Sequence, residues 1–334
     1  EIAALQRLGE TLVITRNELE PLVVTGQFGP DPWCWDKAAW GYLQDHHKQT
    51  DERFDLCHIY AGTFSSTVGW LQEIFHTKVT ITCAAHSIEV SKREHEALGY
   101  GFNLPHLTEP EQWAKYSRGY MECNVLVCPG SVPAETCRKQ GRTGRIEIIP
   151  HGCVIPKKIK PLPKRFACGY LGSAVAADKG VKYLLQAWAK LNYKDALLII
   201  GGRDSTSNEF RQMVNQFGGG AIWLAGWQED VDEFYGMLSC YVQPSATEGF
   251  GLEALEAMAS GRPVICSEVA GAVDVLSNGC WAVKACDADA LASAIDKIRK
   301  AESPDGNKIR EHAAKFTWDK IEQRYIELWQ ELLE

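Results

Sequence analysis

Short apolar runs alternating with helical stretches predict an α/β protein, and three observations carry that expectation. Strand-like runs recur at 54–59, 78–83, 124–128, 146–150, 166–171, 197–202, 221–226 and 263–266, most with a helical stretch behind them. That is the pattern of parallel sheets covered by helices. A chain of 334 residues with 45% hydrophobic content is long enough for two ordinary cores, so two domains are expected. A proline- and lysine-rich stretch, 156–165, has the composition of a linker between them.

Composition excludes several functions. The formal net charge of -8 argues against nucleic-acid binding, which leaves a basic footprint. No apolar run approaches the roughly 20 residues that span a bilayer, and the amino end has no signal-peptide pattern. The 12 cysteines form no C-x-x-C pair, and most sit in apolar runs, as reduced, buried thiols do. A cytoplasmic protein is the expectation.

In chain order, EIAALQRLG has helical periodicity ending at Gly9, and a strand follows at 11–15. Residues 22–48 read as irregular, with Gly26, Gly29, Pro30 and Pro32 ahead of the aromatic cluster Trp33, Trp35, Trp40 and Tyr42. Core packing is the first expectation for those rings, and stacking on an acceptor sugar the second. Strand 54–59, helix 66–75 and strand 78–83 come next, and the last of these leads to His86. Ligands of open α/β sheets bind outside the carboxyl ends of strands, although a histidine in a loop is by default a surface side chain. His58 reads as a structural residue at a strand end. Residues 89–112, polar and broken by Gly99, Gly101 and Pro105, read as a mobile or acceptor-facing segment. Helix 111–122, strand 124–128, helix 133–140 and strand 146–150 complete a first domain over 1–155.

The linker 156–165 reads as a solvated hinge whose basic cluster could touch anionic lipid. The second domain, 166–315, opens with strand 166–171, loop 172–179 and helix 180–191. Lys179 then stands at the positive end of that helix, an unfavourable place for a cation unless an anion is near. Strand 197–202 ends in the Gly201-Gly202 turn before Arg203, and strand 221–226 leads to Trp227 and Gln228. A helix over 287–300 and an amphipathic helix within 316–334 finish the chain.

The most informative stretch is 248–256, EGFGLEALE. It follows the apolar run 240–244 and opens a helix that Gly261 and Pro263 stop beyond Ser260. A glycine-rich turn before a helix start leaves backbone N–H groups free at the positive end of the helix dipole, which is an anion site. Eight residues at helical rise place Glu248 and Glu256 roughly 12 Å apart, about the span from hexose to ribose in a nucleotide-diphosphate sugar. Glu253 reads as a dipole partner or a solvated side chain. Glu256 lies on a helix that is apolar almost all round, and a buried carboxylate needs a partner.

EGFGLEALEAMASGRPVICS resembles the E-x7-E signature of retaining GT-B glycosyltransferases of the family 4 type, and the match spans about 25 contiguous residues from 242 to 265. The resemblance implies a GT-B fold, two facing Rossmann-like domains with an interdomain cleft, and a helix in 316–334 that crosses back onto the first domain. It implies transfer of a sugar from a nucleoside-diphosphate donor, UDP- or GDP-linked, to a hydroxyl of a sugar, glycan or lipid-linked acceptor. Retention of anomeric configuration, with no metal or other cofactor, belongs to the same implication. Carried over residue by residue, Gly172 and Lys179 clamp the donor phosphates, and Gly249, Phe250, Gly251 and Leu252 line the donor. Glu248 orients the sugar, Glu256 holds the ribose, Trp227 and Gln228 hold the base through backbone groups, and His86 approaches the donor sugar. His86, Lys179 and Glu248 are thus the catalytic candidates.

The chain departs from that pattern at several points. Ser173 stands where most relatives carry arginine, and it offers a neutral donor instead of a charged fork. Arg203, beside Gly201, is the alternative source of phosphate contacts. His151 and Val154 replace the asparagine and aspartate of the turn that closes the first domain. The first strand and its glycine-rich turn find no match ahead of residue 11, so either the sequence is a trimmed piece or the protein lacks that loop. A sugar-nucleotide-binding protein without transferase activity and a sugar-nucleotide 2-epimerase share the architecture and remain as alternatives. A peripheral membrane contact through the linker is a further expectation, and the sequence carries no signal for an oligomeric state.

Overall fold

A computed structural model of the chain describes residues 11–15, 21–25, 48, 55–60, 68–69, 71–73, 76–83, 88–98, 119–301 and 305–334. It divides into two compact units: Glu1–Ala85 with Asn103–Ile149 and Ile321–Glu334, and His86–Phe102 with Pro150–Lys320. Among the described residues each holds one six-stranded sheet.

In the first unit the strands are β1 (Thr11–Thr15), β2 (Pro21–Thr25), β3 (Leu56–Tyr60), β4 (Lys78–Thr82), β5 (Val125–Cys128) and β6 (Arg145–Ile148), ordered β2-β1-β3-β4-β5-β6. From β3 to β6 the pairing is parallel, as expected. Strands covered on both faces carry continuous apolar runs, and β5 is buried at every position. The other edge corrects the sequence reading. β1 is antiparallel to both β2 and β3, with Thr11 opposite Thr25 and Thr15 opposite Pro21. Residues 22–25, expected to be irregular, are therefore strand. Leu22-Val23-Val24 is a good strand run, Pro21 is tolerated at the start of an edge strand, and the breakers begin only at Gly26.

The second unit contains β7 (Ala167–Leu171), β8 (Leu197–Gly201), β9 (Ile222–Gly226), β10 (Cys240–Gln243), β11 (Val264–Ser267) and β12 (Trp281–Val283) in the order β12-β11-β10-β7-β8-β9, all parallel. The chain runs outward in one direction from β7 through β8 and β9, and in the other from β10 through β11 and β12. The reversal at β7 and β10 is a topological switch point, where open α/β sheets bind ligands at the strands' carboxyl ends. Those ends are Leu171 and Gln243.

Among the described residues the helices whose bounds are set are α1 (Ile88–Ala97), α2 (Ser131–Lys139), α3 (Val181–Leu191), α4 (Asn208–Phe217), α5 (Val231–Gly236), α6 (Leu252–Ala259), α7 (Ala288–Lys300), α8 (Gly306–Ala313) and α9 (Trp318–Leu333). In the second unit, one core cluster takes Leu184, Leu185 and Trp188 of α3, Phe210 of α4 and Ile295 of α7. A second cluster takes Tyr235 of α5 and Leu255 and Met258 of α6.

α1 is a second correction. Residues 89–112 read as a mobile segment, yet 88–97 form a helix grouped with the second unit. Glu94 on α1 is only 3% exposed, and its Oε2 accepts from Lys182 Nζ at 2.6 Å and from the Tyr183 hydroxyl at 2.8 Å. Burial alone would raise the Glu94 carboxyl, but these donors hold it below its usual value. Glu94 gives the helix a polar anchor, which hydrophobic periodicity does not reveal.

The linker is a third correction. Fully buried Arg262 donates to the carbonyls of Lys160 at 2.8 Å, Tyr235 at 2.9 Å and Gly236 at 3.2 Å. Lys160 also pairs with Glu233, and Arg310 donates to the Pro156 carbonyl. The segment is clasped to the second unit instead of hanging as a solvated hinge.

At the far end, α9 places Ile321, Tyr325 and Leu328 against Val125, Val127 and Ile149 in the first unit. His58 is structural there. Its ring bonds to Thr80 at 2.7 Å and Thr82 at 3.2 Å, and Thr82 bonds onward to Tyr325 at 2.8 Å. The 11 described cysteines are all free thiols and nine are buried, which fits their reading as small core hydrophobes. Cys34 lies outside the described residues.

Candidate functional site

At the carboxyl ends of β7, β8 and β9 the loops are laced together by backbone bonds. Gly172 N donates to Gly201 O at 3.1 Å, Gly202 N to Gly226 O at 2.7 Å, and Ala174 N to Arg203 O at 3.0 Å. Gly202 has φ +101°, and a Cβ there would lie 2.3 Å from Gly172 O, so the close approach of the two loops requires glycine. Ser173 is held by its carbonyl, which accepts from the Tyr170 hydroxyl at 3.1 Å. The Arg203 side chain is exposed and makes no hydrogen bond or ion pair among the described residues. Gly201 is buried, where a Cβ would meet Phe234 at 2.7 Å.

Lys179 ends the short 3-10 turn Ala177–Lys179 ahead of α3. Gly180 follows at φ +66°, and a Cβ there would stand 2.1 Å from Pro244 O. Asp178 O accepts from Ala246 N at 2.8 Å and Thr247 N at 3.3 Å. These contacts seat the Lys179 turn on the loop after β10. The consequence is an ion pair of 2.7 Å between Lys179 Nζ and Glu248 Oε2, with the side chains 27% and 12% exposed. Lys179 was expected to await an external anion, but the chain supplies the charge itself. Burial pulls the Lys179 ammonium down, and the carboxylates of Glu248 and Glu253 outweigh it, so the group is raised above its ordinary value.

Glu248 has further donors. Its Oε2 also accepts from Ser245 Oγ at 3.1 Å and Gln243 Nε2 at 3.2 Å, while Oε1 accepts from Gly249 N at 3.1 Å. α6 begins only at Leu252, after Gly251 at φ +86°. The estimate of a helical span from Glu248 to Glu256 therefore does not apply, because half of the intervening rise is loop. Gly249 O accepts from Gly271 N at 3.2 Å and Phe250 O from Ala272 N at 2.8 Å, which fixes the loop from its other side. Phe250, expected among the donor-lining residues, turns its ring into the core, with its centroid 5.0 Å from that of His151. Only its backbone is left to line a site. Burial pushes the His151 imidazole down to about 4, so it sits there neutral. Leu252, at the first helical position, is half-buried.

Two more carboxylates sit on α6. Glu253 is not the solvated side chain the sequence suggested: it is half-buried, and burial and the Glu248 charge raise its carboxyl against the pull of Lys179. Glu256, expected to be buried, is half-buried like Glu253, and it has a partner, since the Tyr235 hydroxyl donates to Oε2 at 2.9 Å. Burial pushes Glu256 up to about 7 in spite of that bond. Trp227, after β9, is 70% exposed. Gln228 Nε2 donates to the carbonyls of Ala225, Gly226 and Trp227 at 3.0, 3.1 and 3.2 Å, which ties its side chain to its own turn.

Lys179, Glu248, Glu253 and the amino end of α6 are thus brought together at the switch point of the second sheet. His86, the aromatic cluster Trp33, Trp35, Trp40 and Tyr42, and residues 99–118 lie outside the described residues. Sequence reasoning missed Tyr235, Gln243 and Ser245. Gln243 carried a signal, a polar residue ending the apolar run CYVQ, whereas nothing local marks Tyr235 as the partner of a residue 21 positions away.

Residues 165–300 match the family described as Glycosyl transferases group 1. Among curated relatives, the capsular polysaccharide biosynthesis glycosyltransferase CapM of Staphylococcus aureus is 31% identical over 181 residues, 50% of this chain and 47% of that protein. The N,N'-diacetylbacillosaminyl-diphospho-undecaprenol alpha-1,3-N-acetylgalactosaminyltransferase of Campylobacter jejuni is 29% identical over 161 residues, 46% of this chain and 42% of that protein. The matched stretches span less than half the length of these relatives. Among solved structures, sucrose-phosphate synthase from Thermosynechococcus elongatus superposes with a TM-score of 0.67 at 22% identity over 96% of this chain and 85% of that one. Anabaena HepE, solved with UDP and glucose, gives 0.66 at 16% identity over 92% and 84%. At these identities the likeness shows the fold, which is the α/β fold with parallel sheets of GT-B glycosyltransferases.

Proposed function

We propose that the protein is a glycosyltransferase that moves a sugar from a UDP- or GDP-linked donor to an acceptor hydroxyl, with retention at the anomeric carbon and without a metal. The observation that carries this reading is the Lys179–Glu248 pair, set at a topological switch point beside the amino end of α6. The family match over 165–300 supports it. So do the names of relatives that act on glycans and a diphospho-linked lipid, and a neighbour solved with UDP-glucose.

On this reading the first-turn amides of α6 and Lys179 take the donor diphosphate, because helix amino ends and ammonium groups stabilise charge that builds on a leaving phosphate. Glu248 accepts a sugar hydroxyl and Glu256 a ribose hydroxyl. The base lies by the Trp227-Gln228 turn, and His86 approaches the sugar. The bond from the anomeric carbon to the phosphate oxygen breaks, and the acceptor oxygen bonds to that carbon. The acceptor proton passes to the departing diphosphate on the same face. Lys157, Lys158 and Lys164 remain exposed, free to meet the head group of a lipid-linked acceptor at the cytoplasmic face of a membrane.

The test is a thermal-shift screen of UDP- and GDP-sugars, followed by transfer assays across acceptors with and without chelator and assignment of the product anomer. Lys179→Ala and Glu248→Ala are each expected to lose most turnover and keep the fold. Unchanged rates in both would sink the site. Conversion of donor alone to its epimer, or binding without transfer, would replace the proposed activity.

A further inference from the structure

Gln243 is an unusual residue to find at the end of β10. It is 1% exposed, and Cys240, Tyr241 and Val242 before it are wholly buried. The environment fixes its amide. The Tyr241 hydroxyl, shared with the Leu171 carbonyl at 3.2 Å, donates to Gln243 Oε1 at 2.8 Å. Gln243 Nε2 in turn donates to Ser245 Oγ at 3.0 Å and Glu248 Oε2 at 3.2 Å. The flipped amide would set its oxygen against the Glu248 carboxylate, two acceptors facing each other. One orientation therefore survives.

The two oxygens of Glu248 are served unequally. Oε2 accepts from Lys179, Ser245 and Gln243, while Oε1, among the described residues, accepts from its neighbour Gly249. A carboxylate oxygen has about two lone-pair sites, so Oε2 is saturated and Oε1 has room for another donor. If Lys179 turns to a diphosphate, Ser245 and Gln243 are what still hold Oε2. A neutral amide suits that task, because it fixes the carboxylate without cancelling the charge that makes it a strong acceptor.

We propose that Gln243, locked by Tyr241, is a positioning residue that holds Glu248 so that Oε1 is presented to a hydroxyl of the donor sugar. This rests on the glycosyltransferase reading and deepens it. It also makes a distinction within the site: Gln243 serves the sugar end of the donor and leaves the nucleoside diphosphate end to other residues.

The experiment compares the unsubstituted protein with Gln243→Met, close in shape but without the amide, and with Tyr241→Phe, which removes a single oxygen. Transfer kinetics with the nucleotide sugar are read beside calorimetric binding of free UDP or GDP and the unfolding midpoint. In Gln243→Met, kcat is expected to fall by about a hundredfold, the scale of a small misplacement of a reacting group, while Kd for the free nucleoside diphosphate stays within about twofold. Tyr241→Phe should move kcat in the same direction by less, and the double variant should be no worse than Gln243→Met alone. Transfer at the original rate in both single variants, or an equal loss of nucleoside diphosphate binding and of transfer, would overturn the positioning role. Failure of the unsubstituted protein to bind any nucleoside diphosphate or transfer any sugar would overturn the activity itself, and this role with it.

Discussion

Glu256→Gln should stabilise the protein at alkaline pH and cost it nucleotide affinity. Burial raises this carboxyl from 4.5 to about 7, so the folded chain holds a proton that the unfolded chain gives up. A folded state that binds more protons loses stability as pH rises, here through the window from 4.5 to about 7, and the loss is complete above it. At about 1.4 kcal/mol per unit, the shift corresponds to a ceiling of about 3 kcal/mol. Part of it comes from Glu253, whose own carboxyl is raised and shares the proton uptake. A net effect of about 1–3 kcal/mol is therefore expected. Glutamine keeps an oxygen for the Tyr235 hydroxyl and carries no charge, so the variant escapes the penalty. Urea unfolding of both proteins at pH 5 and pH 8 measures it: the variant's advantage should be full at the higher pH and much smaller at the lower, which lies near the start of the window. A difference that does not change between the two would refute the reasoning. The accompanying loss of UDP or GDP affinity is what a ribose-binding carboxylate implies, since a site kept for function is commonly held at a cost in stability.

Two further substitutions test the frame around the site. Glu94→Ala strands the buried Lys182 ammonium, and removing one partner of a buried pair should cost about 3–5 kcal/mol of unfolding free energy, read from urea titration; Glu94→Gln, which still accepts, should cost less. Gly180→Ala sets a Cβ 2.1 Å from Pro244 O at a positive φ, so the Lys179 turn must lift from the 244–247 loop. Nucleoside diphosphate binding, followed by calorimetry, should fall more than stability does.

Much of this was legible in the sequence because the interior strands are apolar runs with breakers at their ends. β4, β5, β7 and β8 are of that kind. β2 was hidden by the glycines and prolines that follow it, and β12, with three residues, is too short to show periodicity. α1 escaped notice because a buried Glu94 looks like any helix-surface glutamate until Lys182, 88 positions on, is brought against it. The linker misled in the same way: its lysines and prolines have the composition of a hinge, and the side chain that clasps it, Arg262, comes about a hundred residues later. Lys179, Glu248 and Glu256 could be chosen singly from spacing and resemblance. Their couplings could not, since Lys179 and Glu248 are 69 residues apart and Tyr235 reaches Glu256 across the core.

The couplings also bear on Ser173. Ser173 offers no charge to offset a diphosphate, and three carboxylates, Glu248, Glu253 and Glu256, lie on one loop and the helix it opens. Left fully ionised, they would repel the ligand that the amino end of α6 attracts. Burial works against that by raising Glu253 and Glu256, so that each sheds its charge more readily than an exposed glutamate. Glu248, by contrast, is held by four hydrogen-bond donors, Lys179, Ser245, Gln243 and Gly249. The surroundings thus divide one carboxylate gripped by donors from two whose carboxyls burial raises. On the proposed reading that is the division needed where a sugar hydroxyl must be grasped beside a diphosphate, and it makes Lys179, which serves Glu248 when no ligand is bound, the cation free to change partners when one arrives.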